Sequence, residues 1–161
     1  MANGPEVGDK APDFTLPGLQ LTDSGVEQGS YTLSADLGHP VVLAFYPGDE
    51  TSVCTRQLCS YSSGLEQFTG LRATVWGISP QGLESHEQFA RKHELRMPLL
   101  ADTEREAVRR YGIGLGGSSL RRSVFVIDAD GVVRYRHVAL VGLTYRSTDT
   151  LVKALESLGA R

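Results

Sequence analysis

Two cysteines are all that the 161 residues carry, Cys54 and Cys59, five positions apart. So few thiols in a chain long enough to bury a real core argue against a disulfide framework and for redox or metal chemistry. Metal is the poorer reading of the two. The four histidines, His39, His86, His93 and His137, are scattered, and none stands at ligand spacing from the Cys-x4-Cys pair. No cofactor is expected either. Gly112-x-Gly114-x-x-Gly117 matches a dinucleotide fingerprint in its letters, yet it follows a predicted helix and precedes a strand. That is the reverse of the context the fingerprint needs, and the stretch reads as a flexible loop.

Excess positive charge is also lacking. Sixteen Lys and Arg stand against nineteen Asp and Glu, a net charge of −3. The Arg pairs at 109–110 and 121–122 are too short to form a basic tract, so neither nucleic acid nor an anionic membrane is an expected partner. No apolar run approaches the roughly 20 residues of a spanning helix. The opening Met1-Ala2-Asn3-Gly4-Pro5-Glu6 lacks a basic segment followed by an apolar one, so no signal peptide is expected and a cytoplasmic location is. With no internal repeat and no dividing linker, residues 1–161 are expected to form one domain.

What the chain does have is centred on Phe45-Tyr46-Pro47-Gly48-Asp49-Glu50-Thr51-Ser52-Val53-Cys54. Val41 to Tyr46 is a continuous apolar and aromatic run that reads as a buried strand. Pro47 and Gly48 break it, and Thr51 or Ser52 caps a helix beginning near Val53. That helix carries an apolar stripe through Cys54, Leu58, Tyr61, Leu65 and Phe68. Cys59 is turned about 140° from Cys54 at 100° per residue.

Around this centre, Phe14-Thr15-Leu16 and Leu19-Gln20-Leu21 read as a hairpin about Pro17-Gly18, and the polar, Gly-rich residues 22–30 as a surface loop. Thr74–Ile78 reads as a second buried strand. Ser79 caps and Pro80 starts the next helix, whose apolar side includes Leu83, Phe89 and Ala90. Met97–Leu100 reads as a connector, and Thr103-Glu104-Arg105-Glu106 as a capping box opening a helix through Tyr111. Val124–Ile127 is a third strand, turned back at Asp130-Gly131 into Val132–Arg136. A last helix spans about Ser147 to Leu158. Helices alternating with buried strands and a late hairpin predict an α/β architecture, with a mixed sheet covered by helices on both faces and an N-terminal hairpin extension.

A thiol in the first turn of a helix faces unpaired backbone N–H groups and the positive end of the helix dipole, both of which favour the anion. Keeping a thiol about 90% ionised at pH 7 requires roughly 3.4 kcal/mol of preferential stabilisation. A helix terminus supplies 0.3–1 and at best about 2 kcal/mol. A fixed cation near the sulfur is therefore required.

Pro47-x-x-x-Thr51-x-x-Cys54 resembles the active-site motif of the peroxiredoxins, and the second cysteine five residues on resembles the peroxiredoxin Q, or bacterioferritin-comigratory, subfamily. Gly8-Asp9-Lys10-Ala11-Pro12-Asp13-Phe14 and Arg122-Ser123-Val124-Phe125-Val126-Ile127-Asp128 extend the likeness over nearly the whole chain. The resemblance implies a thioredoxin-like fold and a thiol peroxidase acting on hydrogen peroxide and organic hydroperoxides. In it Cys54 is the nucleophile, Arg122 the cation that holds the thiolate and polarises the peroxide, and Thr51 a hydrogen-bonding partner. Pro47 is the shield against water, and Cys59 the resolving thiol that forms an intramolecular disulfide. It implies thioredoxin or a similar dithiol as reductant, and a monomer, with a homodimer as the second choice.

Arg121 is the weaker cation because its register from Phe125 is wrong. Three competitors remain open at this level: a one-cysteine peroxidase with Cys59 a bystander, a thioredoxin-like disulfide reductase, and a chaperone-type interaction domain. The reductase class uses Cys-x-x-Cys and a proline just before the third strand, whereas residues 117–123 contain none.

Overall fold

The structure is a computed structural model, and it describes residues 4–49, 51–115, 120–139 and 145–159. Seven strands form one mixed sheet in the order β2-β1-β5-β4-β3-β6-β7. Its centre is β3, Val41–Phe45, every residue of which is buried. It pairs in parallel with β4, Thr74–Ser79, and antiparallel with β6, Ser123–Ile127. Continuous runs of Val, Ile, Leu and Phe suit strands covered on both sides.

Side chains alternate across a strand, so Val42 and Ala44 enter one core while Val41, Leu43 and Phe45 enter the other. The first core is closed by α1 (Ser52–Ser63), α2 (Leu65–Gly70), α3 (Leu83–His93) and α5 (Thr148–Gly159). The second is closed by α4 (Glu106–Arg110), a 3-10 turn at Leu33–Asp36 and the segment carrying Ala11 and Phe14. The mixed sheet with helices on both faces is as expected, though the layers are unequal.

Several local expectations are corrected. The N-terminal hairpin exists, but its first strand, β1, runs unbroken through Pro17-Gly18 from Thr15 to Thr22 and turns at Asp23-Ser24. Pro17 stands opposite Ser30 and, lacking an N–H, can sit in the ladder only where no donor is needed from it. Residues 22–30 are not a loop: Gly25–Thr32 is β2, an edge strand whose middle is exposed, which explains its polar composition. The supposed connector contains β5, Leu99–Ala101, buried between β1 and β4.

The helix after β4 begins at Leu83 with Gly82 as its N-cap, not at Pro80. The Ser79 hydroxyl oxygen instead accepts from the Gln81 N–H. No capping box forms at α4. Asp102, at the end of β5, takes the Val108 N–H at 2.9 Å, and Arg105 enters the helix in the left-handed region with φ 59°. The long helix expected through Phe68 is two, divided at Gly64. A Cβ there would lie 2.7 Å from Thr148 Cγ2, so α5 leaves no room for a side chain. In the glycine-rich stretch, Gly112 has φ 66° and Gly114 bridges Leu120, while Gly117 lies outside the described residues.

The late hairpin is anchored by Asp128. Its Oδ1 accepts from the N–H groups of Asp130 and Val132 at 2.9 and 3.0 Å, and its Oδ2 from Arg134 Nε at 2.6 Å. Burial alone would disfavour the charged form of this carboxyl and push its pKa up. The Val132 N–H, the Arg134 guanidinium and the Asp130 N–H outweigh it and hold the group below the ordinary carboxylate value. A folded-state value below the unfolded one contributes stability above the ordinary carboxylate range, and that stability is lost as pH falls through the folded value. Asp128→Ala should therefore cost about 1–3 kcal/mol at pH 7. In urea unfolding at successive pH values, its deficit against wild type should shrink below about pH 4.

Candidate active site

At the carboxyl end of β3 the chain leaves the sheet through Tyr46, which is fully buried, and half-buried Pro47. Thr51 is extended (φ −77°, ψ 151°) and caps α1: its hydroxyl oxygen accepts from the Cys54 N–H at 3.4 Å and its O–H donates to the Gly48 carbonyl at 3.4 Å. The cap sits where the sequence predicted it and makes Cys54 the third helical residue. The thiol is completely buried, whereas Thr51 itself is exposed.

The cation arrives from the sheet. Because β6 runs antiparallel to β3, with Phe45 opposite Ser123, the start of β6 meets the end of β3. Arg122, just before Ser123 and 3% exposed, therefore stands over the start of α1. Its Nη2 donates to Cys54 Sγ at 3.1 Å, and its Nη1 donates to Gln57 Oε1. Arg122, and not Arg121, is the arginine on the sulfur. Arg121 holds the backbone, its N–H donating to Ile113 O at 2.7 Å.

Gln57 was not anticipated. It lies one turn after Cys54 on the buried side of α1 and is fully buried. Its Nε2 donates to Tyr61 Oη at 3.3 Å, and the Tyr61 O–H donates to the Arg146 carbonyl at 2.6 Å. Burial pushes the Tyr61 phenol up, so it keeps the proton it donates. Each donor in this series has one acceptor ahead of it, which fixes the Gln57 amide with its oxygen toward Arg122. A neutral amide orients the guanidinium without itself neutralising it. The only sequence signal for this was a polar residue on a buried helical stripe.

A second buried network lies beneath Pro47–Asp49. Asp49 accepts from Tyr46 Oη at 2.7 Å on Oδ1 and from Ser85 Oγ at 2.7 Å on Oδ2, where His86 Nδ1 also lies at 2.7 Å. Burial, then the Asp49 carboxylate, pushes the Tyr46 phenol well up. His86, one of the four histidines that looked scattered, is fully buried here.

Cys59 is half-buried, and both cysteines lie on the unbroken α1 with no disulfide between them. Residues i and i+5 of an α-helix lie about 8.7 Å apart at Cα, beyond the roughly 7 Å that a disulfide spans. Among the described residues no group of three or more His, Cys, Asp or Glu could hold a metal ion, and no helix is long and apolar enough to cross a membrane.

Comparison with known proteins places this arrangement. The AhpC/TSA family profile matches residues 7–136. The chain is 35% identical over 133 residues to peroxiredoxin Bcp of Bacillus subtilis, covering 78% of this chain and 80% of that protein. It is 33% identical over 136 residues to a putative peroxiredoxin bcp of Coxiella burnetii, covering 80% and 85%. Against chloroplastic peroxiredoxin Q of Oryza sativa subsp. japonica, the identity is 36% over 130 residues, 80% of this chain and 57% of that one. The chain thus spans little more than half the length of this plant relative. Mycobacterium bovis AhpC superposes with a TM-score of 0.89 at 23% identity, over 99% of this chain and 95% of that one. The reduced 2-Cys peroxiredoxin of Plasmodium vivax gives 0.87 at 22%, over 96% and 82%. The fold is thioredoxin-like, and the chain belongs to the AhpC/TSA family, among the peroxiredoxins of the Q and Bcp kind.

Proposed function

We propose that the chain is a thiol peroxidase with Cys54 as its nucleophile. The observation that carries this reading is the guanidinium of Arg122, 3.1 Å from a fully buried sulfur at the start of a helix. Dipole and cation together supply what neither supplies alone. The Cys54 thiolate attacks one oxygen of a hydroperoxide and the O–O bond breaks. The leaving oxygen departs as water or alcohol on taking a proton, and Cys54 is left as a sulfenic acid. Arg122 steadies charge on the peroxide oxygens as that bond lengthens. Thr51 offers its hydroxyl to the peroxide, and Pro47 limits water at the thiolate.

Cys59 then attacks the sulfenic sulfur, water leaves, and a Cys54–Cys59 disulfide remains for thioredoxin or a similar dithiol to reduce. Since a regular helix cannot hold that bond, α1 opens when it forms. Ser60, Ser62, Ser63 and Gly64 lower the cost, being indifferent or poor helix formers. A thiol pair that a dithiol must return to the reduced state suits a reducing compartment such as the cytoplasm.

Hydroperoxide turnover with thioredoxin as reductant tests the whole scheme. Wild type should cycle. Cys59→Ser should consume one equivalent and stall as the sulfenic acid, trapped by a dimedone-type probe. Cycling of that variant at the wild-type rate would make Cys59 a bystander, and absence of any consumption by wild type would end the peroxidase reading.

A further inference from the structure

Asp49 is 7% exposed although it sits in a turn, and every bond it makes ties that turn to something rigid. Its N–H donates to Gln81 Oε1, and its carboxylate gathers Tyr46 from the end of β3 and Ser85 and His86 from the first turns of α3. His86 is the deepest of these partners. Its Nε2 lies 2.9 Å from the Leu100 carbonyl oxygen, which only accepts, so Nε2 carries a hydrogen. Its Nδ1 lies 2.7 Å from Asp49 Oδ2, with a second proton between them. The ring is thus a strut between the backbone of β5 and the turn that leads to Thr51. The Tyr46 phenol lies close enough to feel charge on Cys54, while the guanidinium on the sulfur comes from β6.

We propose that His86 is a positioning residue for the peroxide reaction. Through the proton it shares with Asp49, it fixes Pro47–Asp49 in the geometry that presents Pro47, and the Thr51 hydroxyl further on, to the peroxide, while Arg122 holds the thiolate from β6. The inference rests on the peroxidase reading. It divides the site into a part that ionises the sulfur and a part that aligns the peroxide. A misplacement of about 1 Å in such an aligning group costs on the order of a hundredfold in rate.

The two bonds of the ring can be separated chemically. An asparagine amide nitrogen falls near the place of Nδ1, and that of a glutamine near Nε2. His86→Asn keeps the donor to Asp49 and gives up Leu100. His86→Gln keeps the donor to Leu100 and gives up Asp49. Two second-order rates are compared, with hydrogen peroxide and with iodoacetamide, alongside the melting temperature. His86→Gln should react with peroxide about 10–100-fold more slowly than wild type, yet be alkylated at a similar rate, because Arg122 still holds the thiolate. His86→Asn should restore most of the peroxide rate.

A His86→Gln protein that matches wild type with peroxide overturns the proposal. So do two variants that lose both rates in step with their melting temperature, which would make the ring mere packing. Should either fail to fold, Gln81→Ala cuts Asp49's tie at the protein's half-buried margin. A severalfold slower peroxide rate with unchanged alkylation supports the strut, and an unchanged peroxide rate overturns it. A wild type that is alkylated but consumes no peroxide removes the peroxidase reading, and this inference with it.

Discussion

Cys54→Ser should reduce hydroperoxide consumption to background, a fall of more than about a thousandfold. The side chain is fully buried in a packed core, and serine differs from it by one atom, so the fold should survive the exchange. The chemistry should not. A hydroxyl holds its proton far more tightly than a thiol, and the few kcal/mol available from a helix terminus and one guanidinium do not ionise it. Peroxide consumption in single turnover, with far-ultraviolet circular dichroism to confirm folding, measures the effect. A variant keeping more than about a tenth of the wild-type rate would move the nucleophile elsewhere. Cys59, the other thiol, would then be first to test.

Arg122→Ala should be nearly as damaging, for two reasons that separate experimentally. First, a helix terminus typically supplies only 0.3–1 of the roughly 3.4 kcal/mol required, so the greater part of the thiolate at neutral pH should be lost. Second, the guanidinium no longer steadies charge on the peroxide, a loss on the order of a hundredfold in systems of this kind. Thiolate absorbance in the ultraviolet at neutral pH reports the first effect, and the peroxide rate corrected for thiolate content reports the second. Full absorbance would mean that another cation, Arg121 foremost, holds the sulfur. Gln57→Leu should show a smaller loss of the corrected rate, since it removes an orienting partner and leaves the charge.

How much of this was legible follows from burial. β3, β4 and β6 are covered on both faces, so their residues are uniformly apolar and announce themselves. β2 is an edge strand with an exposed middle, and Glu27, Gln28, Gly29 and Ser30 look like a loop because water is their neighbour. β5 has three residues and follows Pro98, too short for any period to show. At the candidate site, a cap and a helix start left local marks at Thr51 and Cys54, whereas Arg122 was singled out through the resemblance. Gln57, Tyr61, Asp49 and His86 were not. Their roles lie in partners 3 to 85 residues away, and an isolated polar residue on an apolar stripe does not say whom it meets.

The antiparallel pairing of β3 with β6 also sets when in the life of the chain the thiol awakens. Synthesis delivers β3, α1 and Cys54 first, and the arginine that reaches the sulfur is 68 residues further on. Domains gain their long-range contacts only once the later segments have left the ribosome. A nascent or truncated chain that ends before β6 thus exposes a cysteine with no guanidinium beside it, hardly more reactive than one in any unfolded peptide. Only when Ser123 seats opposite Phe45 does the sulfur meet this guanidinium, so on the proposed peroxidase reading reactivity toward oxidants doubles as a certificate that the sheet is complete.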